Sequence, residues 1–314
     1  MRCALPNRAV VVLCAILLAG AALCADAAKP FALGDDILLQ IALERNLFSV
    51  NTIDGAWGAK SGAALAAWLA ANGFDAATDR ATAYDLIRES EVSSPAPYRL
   101  VKVTRSDFET LYSIPRNPAE KALMPTMGYE TLEEKFAEIG HVSRICLKKL
   151  NPVAAWPNPR PGTVLRLPNV ATTNKPPKAA LVKVNLTKLN ITVFDANGAM
   201  IAYFPCSIAA DKSKRPPAGE IRVKGIAPNP NYTYTSETKD FRGKHRKYIY
   251  PPGPNNPVGS AWIGLSIPTY GIHGTPNPET IGRAESHGCF RLSNWNAIRL
   301  RDMVSEGCRV IVEG

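Results

Sequence analysis

The chain has 314 residues, 46% of them hydrophobic, with 37 lysines and arginines against 27 aspartates and glutamates. That length and apolar content exclude an intrinsically disordered chain and allow at least one large core, with room for two or three units. The net charge of +10 suits an anionic polymer as partner; the charge alone would equally suit nucleic acid, but the lack of a recognisable nucleic-acid motif, with the export signal that follows, argues against DNA and RNA.

The first element expected in chain order is a secretory signal. Arg2 and Arg8 flank the start of an apolar run from Ala9 to Leu23, and small residues surround Ala25-Asp26-Ala27, which predicts a signal peptide over residues 1–27. The run falls short of the ~20 apolar residues of a bilayer span, so no stable membrane span is expected after cleavage. A lipoprotein signal is disfavoured because Leu13 and Leu23 stand directly before Cys14 and Cys24. Cleavage takes away two arginines and one aspartate, leaving +9 of the original +10, and delivers the protein across the inner membrane to the periplasm or cell wall. Cys146, Cys206, Cys289 and Cys308 remain, in a compartment where disulfides are permitted.

Residues 31–80 read as a small helical unit. Asp35 and Asp36 open an apolar segment through Leu43, Asp54-Gly55 marks a turn, and Ser61 to Asn72 forms a second helix that Gly73 ends. With Ile53 to Gly58 (Ile-Asp-Gly-Ala-Trp-Gly) before that helix, the unit resembles the three-helix peptidoglycan-binding domain, although Leu69 stands where that family usually has Gln.

Residues 95–170 read as an α+β unit: a strand at Tyr98 to Val103, a helix opened by the capping pattern Thr131-Leu132-Glu133-Glu134 and stopped by Gly140, a short helix from Ser143 to Leu150, and a returning strand at Thr163 to Leu167. With Leu150-Asn151-Pro152 and Pro161-Gly162-Thr163 at its joints, it resembles a lysin motif, a glycan-gripping module. A purely structural subdomain fits the pattern as well. Residues 171–179 are polar and Pro-containing, as in a linker.

Residues 180–314 switch to a β pattern. Leu181 to Asn185, Leu189 to Phe194, Met200 to Cys206, Ile221 to Ile226 and Arg309 to Val312 are runs rich in β-branched or aromatic residues, and Asp195-Ala196-Asn197-Gly198 makes the first hairpin turn. A mainly antiparallel sandwich or barrel is expected, so the whole is a multidomain protein with small α and α+β units before a mainly β domain. Residues 227–259, with Tyr232, Tyr234, Tyr248 and Tyr250 beside the basic run Lys239 to Lys247, are expected to be one long loop that could cover a site.

The chemistry concentrates between Ile272 and Leu292, which holds His273, His287 and Cys289, two of the four histidines and one cysteine. A cysteine nucleophile needs a base or cation beside it, and histidine provides this near neutrality. Backbone N–H groups on a tight turn such as Ser286-His287-Gly288-Cys289 can face a developing oxyanion. From spacing alone, an inert buried thiol, a disulfide half or a zinc site compete with this reading, though no Cys-x-x-Cys or His-Glu-x-x-His companion is present.

The string His273-Gly274-Thr275, Gly282, then Ser286-His287-Gly288-Cys289-Phe290-Arg291-Leu292 resembles the catalytic signature of the L,D-transpeptidase family, with Pro252 to Pro257 and Trp262 where that family has Pro-Gly-Pro-x-Asn-Pro and Trp. The resemblance covers residues 180–314, with Asn296 standing where the family often has Asp. It implies that Cys289 is the nucleophile and His273 the base oriented by the Gly274 carbonyl, and that His287, Gly288 and Cys289 line the oxyanion site. It also implies that Ser286 braces the turn, that Arg291 positions the loop or a substrate carboxylate, and that Tyr250, Asn255, Trp262 and Thr275 contact substrate. No cofactor or metal is needed for thiol acyl transfer. The implied partners are peptidoglycan stem peptides and glycan strands, with an envelope lipoprotein as one candidate acyl acceptor; water in place of an amine would give an L,D-carboxypeptidase. Two rivals stand beside it. Ser236-Glu237-Thr238-Lys239 fits the Ser-x-x-Lys of serine penicillin-binding enzymes but lacks its companion motifs, and a non-catalytic wall-binding protein would fit the N-terminal units.

Overall fold

The computed structural model describes residues 34–91, 95–172, 175–239, 242–286 and 288–314. The expected signal peptide, residues 1–27, lies outside them, as does His287. Among the described residues no helix is long and apolar enough to cross a membrane.

Three helices come first: α1 (Asp35–Arg45), α2 (Ala59–Ala71) and α3 (Arg80–Ser90). The turn between α1 and α2 is built on Gln40. Its buried amide donates to Asp54 Oδ1, the Ala56 carbonyl and Ser61 Oγ, and its oxygen accepts from the Asp54 and Gly55 amides, so every polar group that burial strips of water is satisfied. α3 begins at Asp79, whose side chain accepts from the Ala81 and Thr82 amides; the sequence reading stops short of this helix.

Next come β1 (Tyr98–Lys102), α4 (Arg105–Phe108), α5 (Pro118–Ala122), α6 (Leu132–Ile139), α7 (Arg144–Leu150) and β2 (Val164–Pro168), with β1 and β2 paired antiparallel. Thr131 caps α6 through the Glu134 amide, as expected, but the Glu134 carboxylate accepts from Glu130 N, so the box is not reciprocal at Thr131. Ile37, Ile53, Trp68 and Ile87 of the helical segment join Leu132, Phe136, Leu147 and Leu165 in one hydrophobic core. Neither segment is large enough to bury much surface alone.

The remainder is β3 (Leu181–Asn185), β4 (Asn190–Phe194), β5 (Met200–Pro205), β6 (Ile208–Ala209), β7 (Gly219–Pro228), β8 (Tyr232–Lys239), β9 (His245–Tyr250), β10 (Ala261–Leu265), β11 (Gly271–His273), β12 (Ala284–Ser286), β13 (Phe290–Arg291), α8 (Asn294–Met303) and β14 (Arg309–Glu313). Eight strands form one curled sheet in the order β13-β11-β10-β7-β14-β3-β4-β5, mostly antiparallel, with β14 parallel to β3 and β11 parallel to β13. Val182, Val184, Ile191 and Val193 alternate inward and pack with Ala297, Leu300 and Met303 of α8. This is the mainly β domain the composition predicts.

One expectation changes. Residues 227–259 are not one irregular loop: β8 and β9 pair as a hairpin separate from the large sheet, with Tyr232 opposite Tyr250 and Tyr234 opposite Tyr248. The i, i+2 spacing of these tyrosines puts them on one face, a period-2 signal hidden among exposed polar residues. The hairpin also carries Ser236 to Lys239, so the serine-enzyme motif lies on an exposed strand, where Ser236 Oγ donates to the Thr238 carbonyl. All four cysteines named above are free. Cys206 follows β5 and Cys308 precedes β14, with β4 and β3 between those strands, a span of about 14 Å along the sheet at ordinary strand spacing.

Polar contacts fasten the N-terminal segments to the β domain. Glu44 of α1, wholly buried, accepts from Arg299 Nη1 of α8 at 2.6 Å and lies 3.0 Å from His141 Nδ1. Asn296 Nδ2 donates to Ser49 Oγ at 2.8 Å, and Asn51 Nδ2 to the Pro278 carbonyl at 2.7 Å.

Candidate active site

His273 ends β11, in register with Trp262 of β10 on one side and Arg291 of β13 on the other. The Trp262 indole stacks on the imidazole, centroids 5.5 Å apart and planes within 17°. The imidazole is only 6% exposed. Its Nδ1 lies 2.7 Å from the Gly274 carbonyl; a carbonyl only accepts, so Nδ1 carries the proton and Nε2 keeps a free lone pair. Gly274 must be glycine because a Cβ there would strike the Asn294 side chain. Asn294, wholly buried at the start of α8, accepts from Ser260 N at 3.2 Å and donates to Glu138 Oε2 at 2.9 Å and the Pro254 carbonyl at 3.0 Å. The loop orienting His273 therefore rests on α8 and, through Glu138, on α6.

Cys289 is half-buried and follows Gly288, whose φ of +156° suits glycine. Its thiol donates toward the Thr269 carbonyl at 3.5 Å. Thr269 itself has φ +71°, a left-handed conformation that costs a β-branched residue energy and that concentrates at functional sites. Burial raises the Cys289 thiol pKa above its ordinary range, against a lowering by a hydrogen bond from the Gly271 backbone. Burial lowers the His273 pKa to about 4, the Gly274 hydrogen bond opposing and the Arg291 charge assisting. Both shifts favour the neutral forms, thiol and imidazole.

Cys289 and His273 open on one cleft of about 1080 Å³. Gly288, Arg291, Trp262, Thr275 and Asn255 of the expected site residues line it too. Gly274 lies behind His273, and the Ser286 backbone pairs with Ala209 of β6. Tyr250 is 4% exposed and supports the wall from behind, packed on Tyr232 and Tyr234 at 5.9 and 5.6 Å; Tyr232 is the tyrosine of that pair lining the cleft. Asn255 has part of its hydrogen-bonding capacity committed, since its amide donates to the Gly128 carbonyl at 2.9 Å. The sequence reading placed Tyr232 in the segment expected to cover a site; it missed Tyr270, whose proximity to Ile272 was the available signal, and Lys121 and Asn294, for which it offered none. Among the described residues no three His, Cys, Asp or Glu side chains converge to hold a metal.

A curled, mainly β sheet thus presents a cysteine and a histidine with a fixed tautomer on one cleft. Residues 179–312 match the family model YkuD, described as an L,D-transpeptidase catalytic domain. The Bacillus subtilis (strain 168) protein YkuD, assigned as an L,D-transpeptidase, is 48% identical over 59 residues, 19% of this chain and 36% of its own. A Fuscovulum blasticum protein from the ATP synthase subunits region, assigned to the same activity, is 34% identical over 122 residues, 38% of this chain and 61% of its own. The chain thus spans only about a third to three fifths of the length of these curated relatives. The crystal structure of Mycobacterium tuberculosis L,D-transpeptidase 3 with a faropenem-derived adduct aligns at a TM-score of 0.35 with 16% identity, over 51% of this chain and 76% of that one.

Proposed function

We propose that the protein is an exported peptidoglycan L,D-transpeptidase acting through a Cys289 thioester. The observation that carries this reading is the family match of residues 179–312 with Cys289 and a base-competent His273 on the same cleft. As Cys289 attacks the carbonyl at the L-centre of the third, diaminopimelate-type residue of a tetrapeptide stem, His273 Nε2 takes the thiol proton. Collapse of the tetrahedral intermediate returns that proton to the leaving amine, expels D-Ala and leaves the thioester. An acceptor amine, from another stem, an envelope protein's lysine or a free D-amino acid, then attacks the thioester and releases the thiol. Water in its place would make the product of an L,D-carboxypeptidase. The test incubates the chain lacking residues 1–27 with purified tetrapeptide and pentapeptide muropeptides and reads products by mass spectrometry. D-Ala release from the tetrapeptide, with a cross-linked or exchanged product, is expected; equal turnover of both donors rejects the mechanism.

The pH profile follows from the same pair. A base with its pKa near 4 stays neutral as pH falls from 7 to 5, and a thiol raised by burial stays neutral well above pH 7. The kcat/KM of the free enzyme should therefore hold a broad plateau, falling on the acid side only as His273 protonates near pH 4. An acid limb centred between pH 6 and 7, assigned to His273 by its loss in His273→Gln, would contradict the burial argument.

A further inference from the structure

Lys121 is the one cleft-lining residue outside residues 179–312 among the described residues. It lies on α5, which Asn117 caps by accepting from Ala119 N at 2.8 Å. Its ammonium sits 5.8 Å from the centroid of the Tyr250 ring, and Tyr250 in turn supports Tyr232 at the cleft. Hydrogen bonds fix this wall. Thr126 Oγ1 and Met127 N both donate to the Pro252 carbonyl, at 2.7 and 2.8 Å, and Asn255 donates from its backbone to Met127 O and from its side chain to Gly128 O, each at 2.9 Å. Gly253 makes the close approach possible, since a Cβ there would strike the Met127 backbone.

The electrostatics point one way. Lys121, Lys214 and Arg291 line the cleft without an aspartate or glutamate among the described residues, and no described carboxylate pairs with Lys121. Like charges gathered in a cleft raise the local concentration of anions. Arg291 stands on the sheet in register with His273, whereas Lys121 stands on the hairpin wall, so the two cations serve different positions along a bound chain.

Resting on the acyl-transfer reading above, we propose that Lys121 is a specificity-determining residue supplied by the N-terminal region, binding a carboxylate of the peptide substrate. The catalytic segment then brings the chemistry, and the preceding region selects acidic over amidated peptide. That carboxylate belongs either to the acyl donor or to the acceptor, and the two are separable.

The experiment uses the chain lacking residues 1–27 with Cys289→Ala, and measures by calorimetry the Kd of an acidic tetrapeptide stem and of its amidated counterpart. A second arm follows aminolysis of the preformed acyl-enzyme, with Cys289 intact, by acidic and amidated amine peptides. Lys121→Ala is expected to weaken the acidic peptide about tenfold in one arm, as loss of a hydrogen bond to a charged group does. It should leave the amidated peptide unchanged, and Lys121→Arg should restore the difference. Raised salt should shrink it. The donor arm responding assigns the carboxylate to the donor, the acceptor arm to the acceptor; no acidic preference lost in either arm, or equal weakening of the amidated peptide, overturns the proposal. D-Ala release by the protein with Cys289 intact is read separately. Lys121-dependent binding without release defeats the acyl-transfer reading and leaves the contact standing, and release with no Lys121 dependence in either arm does the reverse.

Discussion

Cys289→Ser should abolish D-Ala release, and His273→Gln should reduce it by roughly 10²–10⁴-fold, the range removed with a general base. A serine hydroxyl is far less acidic than a thiol, and a base whose pKa sits near 4 has little driving force to deprotonate it. Neither change should unfold the protein. Cys289 is half-buried at a bend, and the serine hydroxyl can reach the Thr269 carbonyl that the thiol now faces. Glutamine at 273 keeps much of the imidazole's volume against Trp262 and retains a donor for the Gly274 carbonyl, which His273 reaches at 2.7 Å. Steady-state kinetics on a tetrapeptide donor with near-UV circular dichroism checks both halves. A Cys289→Ser protein that keeps a near wild-type rate would remove Cys289 from the nucleophile's role.

That Cys289 and His273 share one cleft was legible because they lie close in sequence, where a Gly-containing turn and two histidines stand out. Most strands of the sheet were legible too, since their inward residues alternate or run continuously. What escaped depends on distant partners. β14, the last strand, lies between β3 and β7, and nothing local to Arg309 to Glu313 names those neighbours. The hairpin tyrosines have the strand period, but Thr233, Thr235 and Lys247 between them are exposed, so the segment resembles a polar loop. Lys121 reaches the cleft only because residues 126–128 bond to Pro252 and Asn255, contacts bridging more than a hundred positions. Glu44 reads as a polar residue just past the apolar run of α1 until Arg299 is placed against it.

Glu44→Gln should destabilise the protein by about 3–5 kcal/mol, the usual result of removing one partner from a buried ion pair. Glu44 is wholly buried, and Arg299 is 9% exposed. Burial alone would raise the Glu44 pKa, but the charge of Arg299 and the contact with His141 overcome it and hold the carboxyl below its ordinary value of 4.5. A depressed acid contributes stability that is present above pH 4.5 and lost as pH falls through the folded value, so the variant's deficit should narrow on acidification. Glutamine still accepts a hydrogen bond but brings no charge, leaving the Arg299 guanidinium desolvated and uncompensated. Replacing both residues, Glu44→Met with Arg299→Met, removes the stranded charge and should recover most of the loss. The effect should extend to the active site. Arg299 lies on the same helix as Asn294, whose side chain accepts from Ser260 N beside Gly274, and the Gly274 carbonyl orients His273. Glu44→Gln should therefore lower kcat even at temperatures where it remains folded, with the double variant closer to wild type. Urea denaturation midpoints and kcat measured on the three proteins decide it. A loss below about 1 kcal/mol, the range of an exposed pair, would mean that water reaches Arg299 and that the N-terminal helices do not clamp α8.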